Sequence, residues 1–495
     1  MRNLTWAVAC LLIVSIICLS PPGCQNQKIT HEEQVARTYC ASCHVFPEAH
    51  LLTKRIWNES VLPEMAFRMG FSNATILSKV SPEDRPVILA TLPKEPMISN
   101  EDFEAIRRFY WNFADDLLEP VTLNTKPLQQ FKPVISPFPT PFITMLQADT
   151  IHNKLWIGTQ SGQLDRFDPV AKIIDTLNIN SPPSHAVLAG DDLIVTGIGI
   201  LMPNDQDKGS LIRYDNGLPQ VLLDSLHRPV YFDLADLNGD GNPEFVVCNY
   251  GDYQGNLSIY SESDADWKVI PLSSTPGAIK TEIRDVNQDG QPDILALFAQ
   301  GDERLVLYTN QGNLNFKEDV IHRFPPVYGS NYFETQDFNG DGYFDILMTN
   351  GDNGDFSAVV KPYHGIRLLQ NDGQNQFTER LFLQMPGVSK AIMRDFDQDG
   401  DLDIAAISFF PDFETPEEGF IYFKNVGDLT FEPRVTPVAA DGRWLTLEAY
   451  DFDQDGDDDL FLGSSSYRGL GANNAVFRHW LEKSVPLLRL ENVAD

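Results

Sequence analysis

The sequence predicts a mainly β fold: a seven-bladed β-propeller preceded by a small all-α domain. Three observations lead to this prediction. An acid-rich loop that runs into an apolar strand is repeated five times between residues 236 and 459; fainter strand repeats precede it, and a short helical segment with a Cys-x-x-Cys-His motif comes earlier still. At 495 residues the chain is also too long for one ordinary core, so two domains are expected.

Residues 1–23 have the layout of an export signal. Arg2 is followed by an apolar run from Trp6 to Leu19, which is short for a membrane span, and then by a Ser-Pro-Pro-Gly turn. Cys24 follows, and the arrangement resembles the lipobox of bacterial lipoproteins, although prolines stand where Leu and a small residue are usual. We therefore expect a lipoprotein-type signal peptide, acylation of Cys24 and a tether over residues 24–34. Plain signal cleavage is the alternative.

The motif Cys40-x-x-Cys43-His44 has the spacing for covalent attachment of c-type haem. Two thioethers would join the porphyrin, and His44 would be the proximal iron ligand. The same spacing occurs in redox dithiols and in half of a zinc site. A redox dithiol opens a helix after a strand, whereas the residues before Cys40 look helical, and no second cysteine pair completes a zinc site. The expected cofactor is haem c, in a helical domain over residues 35–119.

The sixth ligand of that iron has four candidates: Met65, Met69, Met97 and His50. Met65 ends the phrase Trp-Asn-Glu-Ser-Val-Leu-Pro-Glu-Met, which resembles a phrase of bacterial cytochrome domains fused to repeat propellers, where that Met is an iron ligand. Met97, just before the last predicted helix, matches the more usual cytochrome placement. A Met near a helix is more often core filling than a ligand. The sequence therefore favours Met65, with Met97 as the alternative.

A proline-dense stretch over residues 120–141 predicts a stiff, extended linker and a domain boundary, because each proline also biases the preceding residue towards extended backbone. Strand patterns dominate the propeller domain, residues 142–495. Segments 144–159 and 185–197 look like degenerate repeats without the acids, and the five acidic loops follow. A strand–Asn-x-Gly–strand phrase recurs at 307, 368 and 422, and residues 487–492 resemble its first half. Five sharp and two faint repeats predict seven blades, whose ring closure removes exposed sheet edges.

The acidic loops are the candidate metal sites. They read DLNGDGNPE from Asp236, DVNQDGQPD from Asp285, DFNGDGYFD from Asp337, DFDQDGDLD from Asp395 and DFDQDGDDD from Asp451. Each has an acidic or amide oxygen at positions 1, 3 and 5, a Gly at 6 and a carboxylate at 9. Oxygens at alternate positions can converge on one hard cation. No helix follows, unlike an EF-hand, and an Asp/Asn/Gly turn without metal is the simpler alternative for any one copy. Five copies in one register favour Ca²⁺.

These loops and hairpins resemble FG-GAP/VCBS repeats, the integrin-α-like β-propeller. The chain as a whole looks like bacterial surface or periplasmic proteins that fuse a c-type cytochrome to such a propeller. The resemblance implies about five Ca²⁺ sites; the first loop departs from the others in having Glu at position 9, and the two N-terminal blades lack ligands. The implied ligands are Asp236, Asn238, Asp240, Asn242 and Glu244; Asp285, Asn287, Asp289, Gln291 and Asp293; Asp337, Asn339, Asp341, Tyr343 and Asp345; Asp395, Asp397, Asp399, Asp401 and Asp403; and Asp451, Asp453, Asp455, Asp457 and Asp459.

The net charge of −33 argues against binding nucleic acid or an anionic membrane through a basic patch, so that membrane contact is expected only through the lipid anchor. Basic residues do recur just before the loops, at Arg228, Lys280, Lys390 and Arg443. They would either ring one mouth of the propeller and attract an anionic ligand or partner, or lie as separate solvated charges.

Three functions remain open from the sequence. The favoured one is a lipid-anchored electron-transfer protein of the bacterial envelope, facing the periplasm or the cell surface, whose propeller binds a redox partner or a small-molecule or glycan ligand. It is expected to be a monomer. The alternatives are a catalytic dehydrogenase propeller that passes electrons to the haem, or a carbohydrate-binding or adhesive propeller. The sequence has no nucleotide fingerprint and no coherent catalytic set, so no catalytic residue is assigned.

Overall fold

The computed structural model describes residues 29–493 except 141, 169–171, 264–265, 355–358, 467–474 and 484. The predicted signal peptide, Cys24 and the first part of the predicted tether therefore lie outside the described residues. Among the residues described, no helix is both long enough and apolar enough to cross a membrane.

The N-terminal region is helical. Its helices are α1 (His31–Cys40), α2 (Lys54–Ile56), α3 (Leu62–Arg68), α4 (Ala74–Lys79), α5 (Arg85–Thr91) and α6 (Asn100–Phe113), with a 3₁₀ turn at Ala49–Leu51 and a π turn at Trp57–Val61 that joins α2 to α3. Thr30 and Ser99 cap α1 and α6, because each hydroxyl accepts a hydrogen bond from a backbone N–H of the first turn. Helices α1 and α6 pack antiparallel, since Tyr39 and Asp102 are hydrogen-bonded at 3.2 Å while Glu32 pairs with Arg108.

Among the described residues after α6, the regular secondary structure is β-strand apart from a few short helices. Two strands precede the first blade: β1 (Lys126–Pro127) and β2 (Phe131–Ser136). Blade 1 is β3 (Ile143–Asp149), β4 (Lys154–Thr159), β5 (Gln163–Asp168) and β6 (Lys172–Asn178). Blade 2 is β7 (Pro183–Ala189), β8 (Asp192–Gly197), β9 (Gly209–Asp215) and β10 (Leu218–Leu226). Blade 3 is β11 (Pro229–Ala235), β12 (Glu244–Asn249), β13 (Asn256–Ser263) and β14 (Asp266–Ser273).

Blade 4 is β15 (Ala278–Arg284), β16 (Asp293–Phe298), β17 (Arg304–Asn310) and β18 (Phe316–Arg323). Blade 5 is β19 (Ser330–Gln336), β20 (Asp345–Asn350), β21 (Gly365–Asn371) and β22 (Phe377–Gln384). Blade 6 is β23 (Val388–Arg394), β24 (Asp403–Ser408), β25 (Phe420–Asn425) and β26 (Phe431–Val435). Blade 7 contains β27 (Trp444–Tyr450), β28 (Asp459–Ser464) and β29 (Leu487–Asn492); α7 (Ala475–Lys483) and 3₁₀ turns at Pro416–Gly419 and Pro437–Asp441 complete the chain. The predicted seven-bladed, mainly β architecture is confirmed.

Part of the segment that the sequence analysis assigns to a linker, residues 120–141, belongs to the propeller. β2 pairs antiparallel with β29 and is the outer strand of blade 7, which closes the ring with the first propeller strand of the chain. β1 adds a parallel fifth strand to blade 6. Pro133 is compatible with β2 because an outer strand has no further neighbour that requires its N–H. Phe131 is buried against the cores of blades 6 and 7.

Burial follows strand order within each blade. In blades 3 to 7 all six residues of the second strand are buried, as in β16 and β24. The outer strands β14, β18 and β22 are instead partly or fully exposed. A continuous apolar run in the sequence therefore indicates a strand that is covered on both faces by the neighbouring blades.

The antiparallel strands give the propeller two faces. Loops between the first and second strands lie on one face, and loops between the second and third strands lie on the opposite face. The helical region packs on this second face: the Tyr253 hydroxyl donates to the Glu64 carboxylate at 3.0 Å, and the Tyr363 hydroxyl donates to the Leu51 carbonyl at 2.9 Å. Val327 shares a core with the helical region.

Candidate functional site

The five acidic loops all connect the first strand of a blade to its second strand, in blades 3 to 7. They therefore lie on one face, opposite the helical region. In each loop the carboxylate at position 1 accepts hydrogen bonds from backbone N–H groups of the same loop. Asp337 shows the full pattern, with Oδ1 accepting from Gly340 at 2.7 Å and Asp341 at 3.2 Å, and Oδ2 accepting from Gly342 at 2.9 Å; Asp236 makes the same three bonds. The loop is thus folded around its first carboxylate.

Each loop contains two residues in the left-handed region of backbone conformation. One is the glycine at position 6, with φ between 83° and 103°, as the sequence predicts. The other, at position 4, is Gly in two loops and Gln in three: Gln288 has φ 60°, Gln398 56° and Gln454 65°. Sequence reasoning missed position 4, because Gln carries no conformational preference that points to this region.

The position 9 carboxylates are buried at the first residue of the second strand. Asp293, Asp345 and Asp403 are all fully buried. Asp345 Oδ1 accepts from the backbone N–H of Asn371 at 2.8 Å, and its Oδ2 accepts from Phe338 at 3.3 Å.

The same asparagine binds the loop through its side chain. Asn371 Nδ2 donates to the Phe344 carbonyl at 3.0 Å, while its Oδ1 accepts from Gly373 in the hairpin turn at 3.0 Å. Asn310 and Asn425 make the equivalent bonds in blades 4 and 6. In blade 7 Asn492 makes the bonds to the loop, but its Oδ1 accepts from Gln130 instead of a hairpin glycine. The Asn of the recurrent Asn-x-Gly phrase therefore couples the acidic loop to the third strand.

Burial raises the pKa of these carboxylates, and the other acids of the loop add to the effect. The pKa rises to about 6 for Asp345 and Asp403 and to about 7 for Asp459. A bound divalent cation would favour the ionised form instead.

Positions 1, 3 and 5 converge in the two loops that are richest in aspartate. One oxygen from each of Asp395, Asp397 and Asp399 lies within 4.8 Å of the others, and the same holds for Asp451, Asp453 and Asp455. In the first of these loops Asp397 Oδ1 is buried and has no hydrogen-bond partner among the described residues. In the second, the same is true of Asp457 Oδ1 and Asp459 Oδ2. Such a donor set suits a cation that accepts oxygen ligands.

A cationic side chain approaches each of these two loops. The Lys424 ammonium contacts Asp397 and lies 3.5 Å from Asp399 Oδ2. The Arg489 guanidinium lies 3.8 Å from Asp453 and 3.6 Å from Asp459. In blades 1 and 2 the corresponding connections are the short turns 150–153 and 190–191, with no repeat of the acidic loop.

A second candidate site is a cavity of about 1230 Å³ between the helical region and the propeller. Its helical wall includes Cys40, Cys43, His44, Met65, Met69 and Met97, so the structure brings together both cysteines, the histidine and three of the four candidate sixth ligands. His50 lies outside this lining and is exposed. Met65 and Met69 pack against the helical core, whereas 58% of Met97 is exposed.

The motif sits at the end of α1. The His44 Nδ1 atom lies 2.9 Å from the Val45 carbonyl, so that Nδ1–H donates and Nε2 is the nitrogen with a free lone pair. Burial raises the pKa of the Cys40 thiol to about 11, which makes it a poor thiolate. Trp57 and Tyr110 line the cavity with ring centroids 4.2 Å apart, and both are buried.

The propeller supplies the other wall of this cavity, which the sequence did not predict. Tyr253 stacks beneath the Arg68 guanidinium at 4.2 Å. Glu303, fully buried, accepts from Gly329 and Ser330, and burial raises its pKa to about 7. The propeller lining also includes Asp252, Gln300, Arg304 and Lys361. These residues come from loops in different blades, so that no local pattern marks them.

Comparison with known proteins places the loops in a family of repeats. A family model described as an FG-GAP-like repeat matches residues 285–348 and 395–462, which contain four of the five acidic loops. The protein is therefore a β-propeller, and it contains FG-GAP-like repeats. No curated protein matches the chain.

The chain is also similar to several solved structures, each of which aligns with about three quarters of it. One is a chain of the S. cerevisiae structure of Dbp5 bound to Nup159, Gle1, IP6 and ADP, at 8% identity and a TM-score of 0.43, covering 74% of this chain and 96% of that one. Another is the Neurospora crassa Pan2 WD40 domain, at 12% identity and a TM-score of 0.43, covering 75% and 97%. A third is BBS1N in complex with ARL6DN, at 11% identity and a TM-score of 0.42, covering 72% and 93%.

Proposed function

We propose that this is an exported electron-transfer protein that carries one c-type haem on Cys40 and Cys43 and has a Ca²⁺-stabilised propeller as its binding platform. The observation that carries the proposal is the cavity, which gathers both cysteines, His44 and three methionines on one wall. Haem bound there would supply reversible one-electron chemistry. The chain's own residues would hold, orient and shield it.

The residues of the cavity fit such a group. Its volume, about 1230 Å³, exceeds the upper range of small-ligand pockets, about 1,000 Å³, so a macrocycle can be accommodated. The His44 Nδ1–H bond to Val45 fixes the imidazole and leaves Nε2 for an iron. Trp57 and Tyr110 exclude water from the side near Cys40.

We propose Met65 as the sixth ligand, with Met97 as the alternative. Met65 lies in α3, directly after the π turn at Trp57–Val61, and packs against the core that contains Trp57. Met97 is mostly exposed, so that less of the surrounding structure would hold its thioether in place. A Met ligand would raise the reduction potential relative to a second histidine.

We propose that the five acidic loops bind Ca²⁺ through oxygens at positions 1, 3 and 5, the carbonyl or side chain at position 7 and the carboxylate at position 9. Two loops already hold three carboxylates within 4.8 Å of one another, and unpartnered buried carboxylate oxygens occur in the same two loops. The role is structural: a cation cancels the repulsion between clustered acids and clamps the loop between strands.

A catalytic propeller that passes electrons to the haem is the second candidate. One observation favours it: propeller loops, including Tyr253, Glu303 and Arg304, form the wall opposite Cys40 and Cys43. A substrate bound by these loops would lie close to the redox group. Acylation of Cys24, anchoring in the bacterial envelope and a monomeric state complete the proposal; they rest on the sequence.

The haem assignment is tested by a reduced-minus-oxidised absorption spectrum of the protein matured in a haem-loading host. We expect a c-type spectrum that persists after denaturation, and its loss in Cys43→Ser. Met65→Leu is expected to lower the reduction potential, whereas the matched variant Met97→Leu leaves it unchanged. A colourless protein would overturn the proposal. Reduction of the haem by sugars or alcohols without an added partner would favour the catalytic alternative.

A further inference from the structure

The centre of the propeller holds a small cavity of its own, about 180 Å³ in volume. The innermost strand of every blade has a register irregularity near its start, and the first paired residue after it lines this cavity. The seven equivalent residues are Met145, His185, Tyr231, Lys280, Tyr332, Lys390 and Thr446. Two ammonium groups, two phenols and an imidazole therefore form one ring. The rest of the lining mixes aliphatic and polar side chains: Leu146, Ile279, Leu445 and Leu447, together with Ser184 and Asn331.

Acidic side chains lie two residues further along four of these strands, outside the cavity lining, and each one binds the neighbouring blade. Asp233 accepts from the Thr281 hydroxyl at 2.6 Å, and Glu282 accepts from the Thr335 hydroxyl at 2.7 Å. Glu334 accepts from the backbone N–H of Met393 at 2.6 Å, and Glu448 does so from Ala148 at 3.3 Å. These carboxylates connect blades, and Glu282 and Glu448 also lie next to the two lysines of the ring.

The two lysines of the ring differ in how fully they are paired. Lys280 donates to Glu282 at 2.6 Å and lies 4.9 Å from the Tyr332 ring centroid. The Lys390 ammonium lies 3.8 Å from Glu448, beyond hydrogen-bond distance, and 5.4 Å from the same ring. An ammonium has three donors. The Lys390 ammonium therefore presents N–H donors to the cavity, because Glu448 is too distant to accept a hydrogen bond from them.

The imidazole of His185 is a buried, uncharged member of the ring. It stacks on Tyr231 with centroids 3.9 Å apart. Burial, and to a smaller extent the positive charges of Lys390 and Lys280, lower the pKa of His185 to about 3. His185 is thus neutral at physiological pH. The cavity offers two ammonium groups beside neutral polar groups, and four aliphatic side chains lie in the rest of its lining.

We propose that the central cavity binds a small organic carboxylate, held by Lys390 and by the second ammonium, Lys280. The inference rests on the proposed role of the propeller as a binding platform and is independent of the haem. A cavity of about 180 Å³ is smaller than the pockets of drug-sized ligands, which begin at about 300 Å³. The four aliphatic side chains of the lining suit the hydrocarbon part of an organic acid, which an inorganic oxyanion lacks. The sequence allowed two interpretations of the four basic residues: a ring around one mouth of the propeller, or separate solvated charges. Neither holds for all four, because Arg228, Lys280 and Arg443 are buried, and of the four only Lys280 and Lys390 line this cavity.

The test is calorimetric titration of the Ca²⁺-saturated full chain with acetate, succinate and benzoate, each paired with its neutral amide. We expect at least one carboxylate to bind with its amide at least tenfold weaker. Lys390→Met is expected to weaken binding at least tenfold, and Lys317→Met, an exposed lysine of β18, to leave it unchanged. If Lys390→Met does not fold, ligand-observed NMR of the unmodified protein compares the binding of each carboxylate with that of its amide.

Equal binding of acid and amide, unchanged binding in a folded Lys390→Met variant, or binding of inorganic phosphate alone would overturn the proposal. So would the absence of binding at millimolar carboxylate. The haem spectrum, read on the same samples, separates these outcomes from a failure of the electron-transfer proposal.

Discussion

At the scale of single residues, the backbone of the acidic loops distinguishes two glycine-like positions. Gly290 has φ 83°, and a Cβ built there would meet no atom within 4 Å. A substitution at this position therefore changes backbone strain alone, without a steric contact. Gln288, two residues earlier, already holds a left-handed conformation with a side chain.

Gly290→Ala is expected to lower the free energy of unfolding by about 1–2 kcal/mol, because an L-residue in the left-handed region carries that cost. Gln288→Gly is the matched control and is expected to leave stability equal or slightly higher, since it relieves the same strain. Urea unfolding in saturating Ca²⁺ measures both. A neutral Gly290→Ala would show that the loop can adopt another backbone conformation.

Lys424 would compete with a bound cation for the loop of blade 6. Its ammonium contacts Asp397 and lies 3.5 Å from Asp399, two of the proposed ligands. Lys424→Met is expected to raise the Ca²⁺ affinity of this loop several-fold, because Ca²⁺ then no longer has to displace the Lys424 ammonium from the carboxylates. Titration followed by calorimetry detects the change as one site of the five. The exposed Lys268→Met in β14 serves as the control, and a weaker site in Lys424→Met would contradict the competition.

Elements differ in how far the sequence specifies them. The second strands, such as β16 and β24, are predictable because six consecutive buried residues leave a continuous apolar run. β2 is not, because its partner β29 lies at the other end of the chain and its proline content resembles a linker. The position 9 carboxylates were assigned as ligands from the resemblance. Their bonds to the Asn of the third strand depend on a hairpin that is remote in sequence.

The buried carboxylates give the loops a pH dependence. Burial raises the pKa of Asp345 and Asp403 to about 6 and that of Asp459 to about 7. The unfolded value is about 4, so between these limits the folded Ca²⁺-free protein holds protons that the unfolded chain has released. Their contribution to stability is complete below about pH 4 and is lost as the pH rises through 6 to 7.

The melting temperature of the Ca²⁺-free protein is therefore expected to fall between pH 5 and pH 7.5. The Ca²⁺-saturated protein is the control, because a bound cation removes most of the pKa shift of the loop carboxylates. Other buried acids, such as Asp233, titrate in both forms and so do not contribute to the difference. Scanning calorimetry across this range compares the two. A parallel pH dependence in both forms would remove the loops as its source.

Across the whole molecule, apolar clusters shared by neighbouring blades hold the ring together, and two further kinds of contact add to them. Four inner-strand carboxylates bind neighbouring blades, and β2 closes blade 7. The acidic loops lie on the face opposite the helical region, and none of them lines the cavity that contains His44. Calcium is thus expected to act on the cavity only through the stability of the ring. This separation could not be read from the sequence, because it depends on which ends of the strands meet.

Removal of Ca²⁺ is expected to lower the melting temperature sharply, since unscreened carboxylates then repel within five loops at neutral pH. Hydrogen exchange is expected to show the first loss of protection in the loops and second strands of blades 3 to 7, while β4 and β8, whose blades lack such loops, are affected later. The measurement is exchange mass spectrometry in excess EDTA, with a Ca²⁺ buffer adjusted by NaCl to the same ionic strength as the control. An unchanged transition in EDTA would contradict the structural role of the metal. Equal early exchange in β4 and β16 would instead indicate a ring that opens as one cooperative unit.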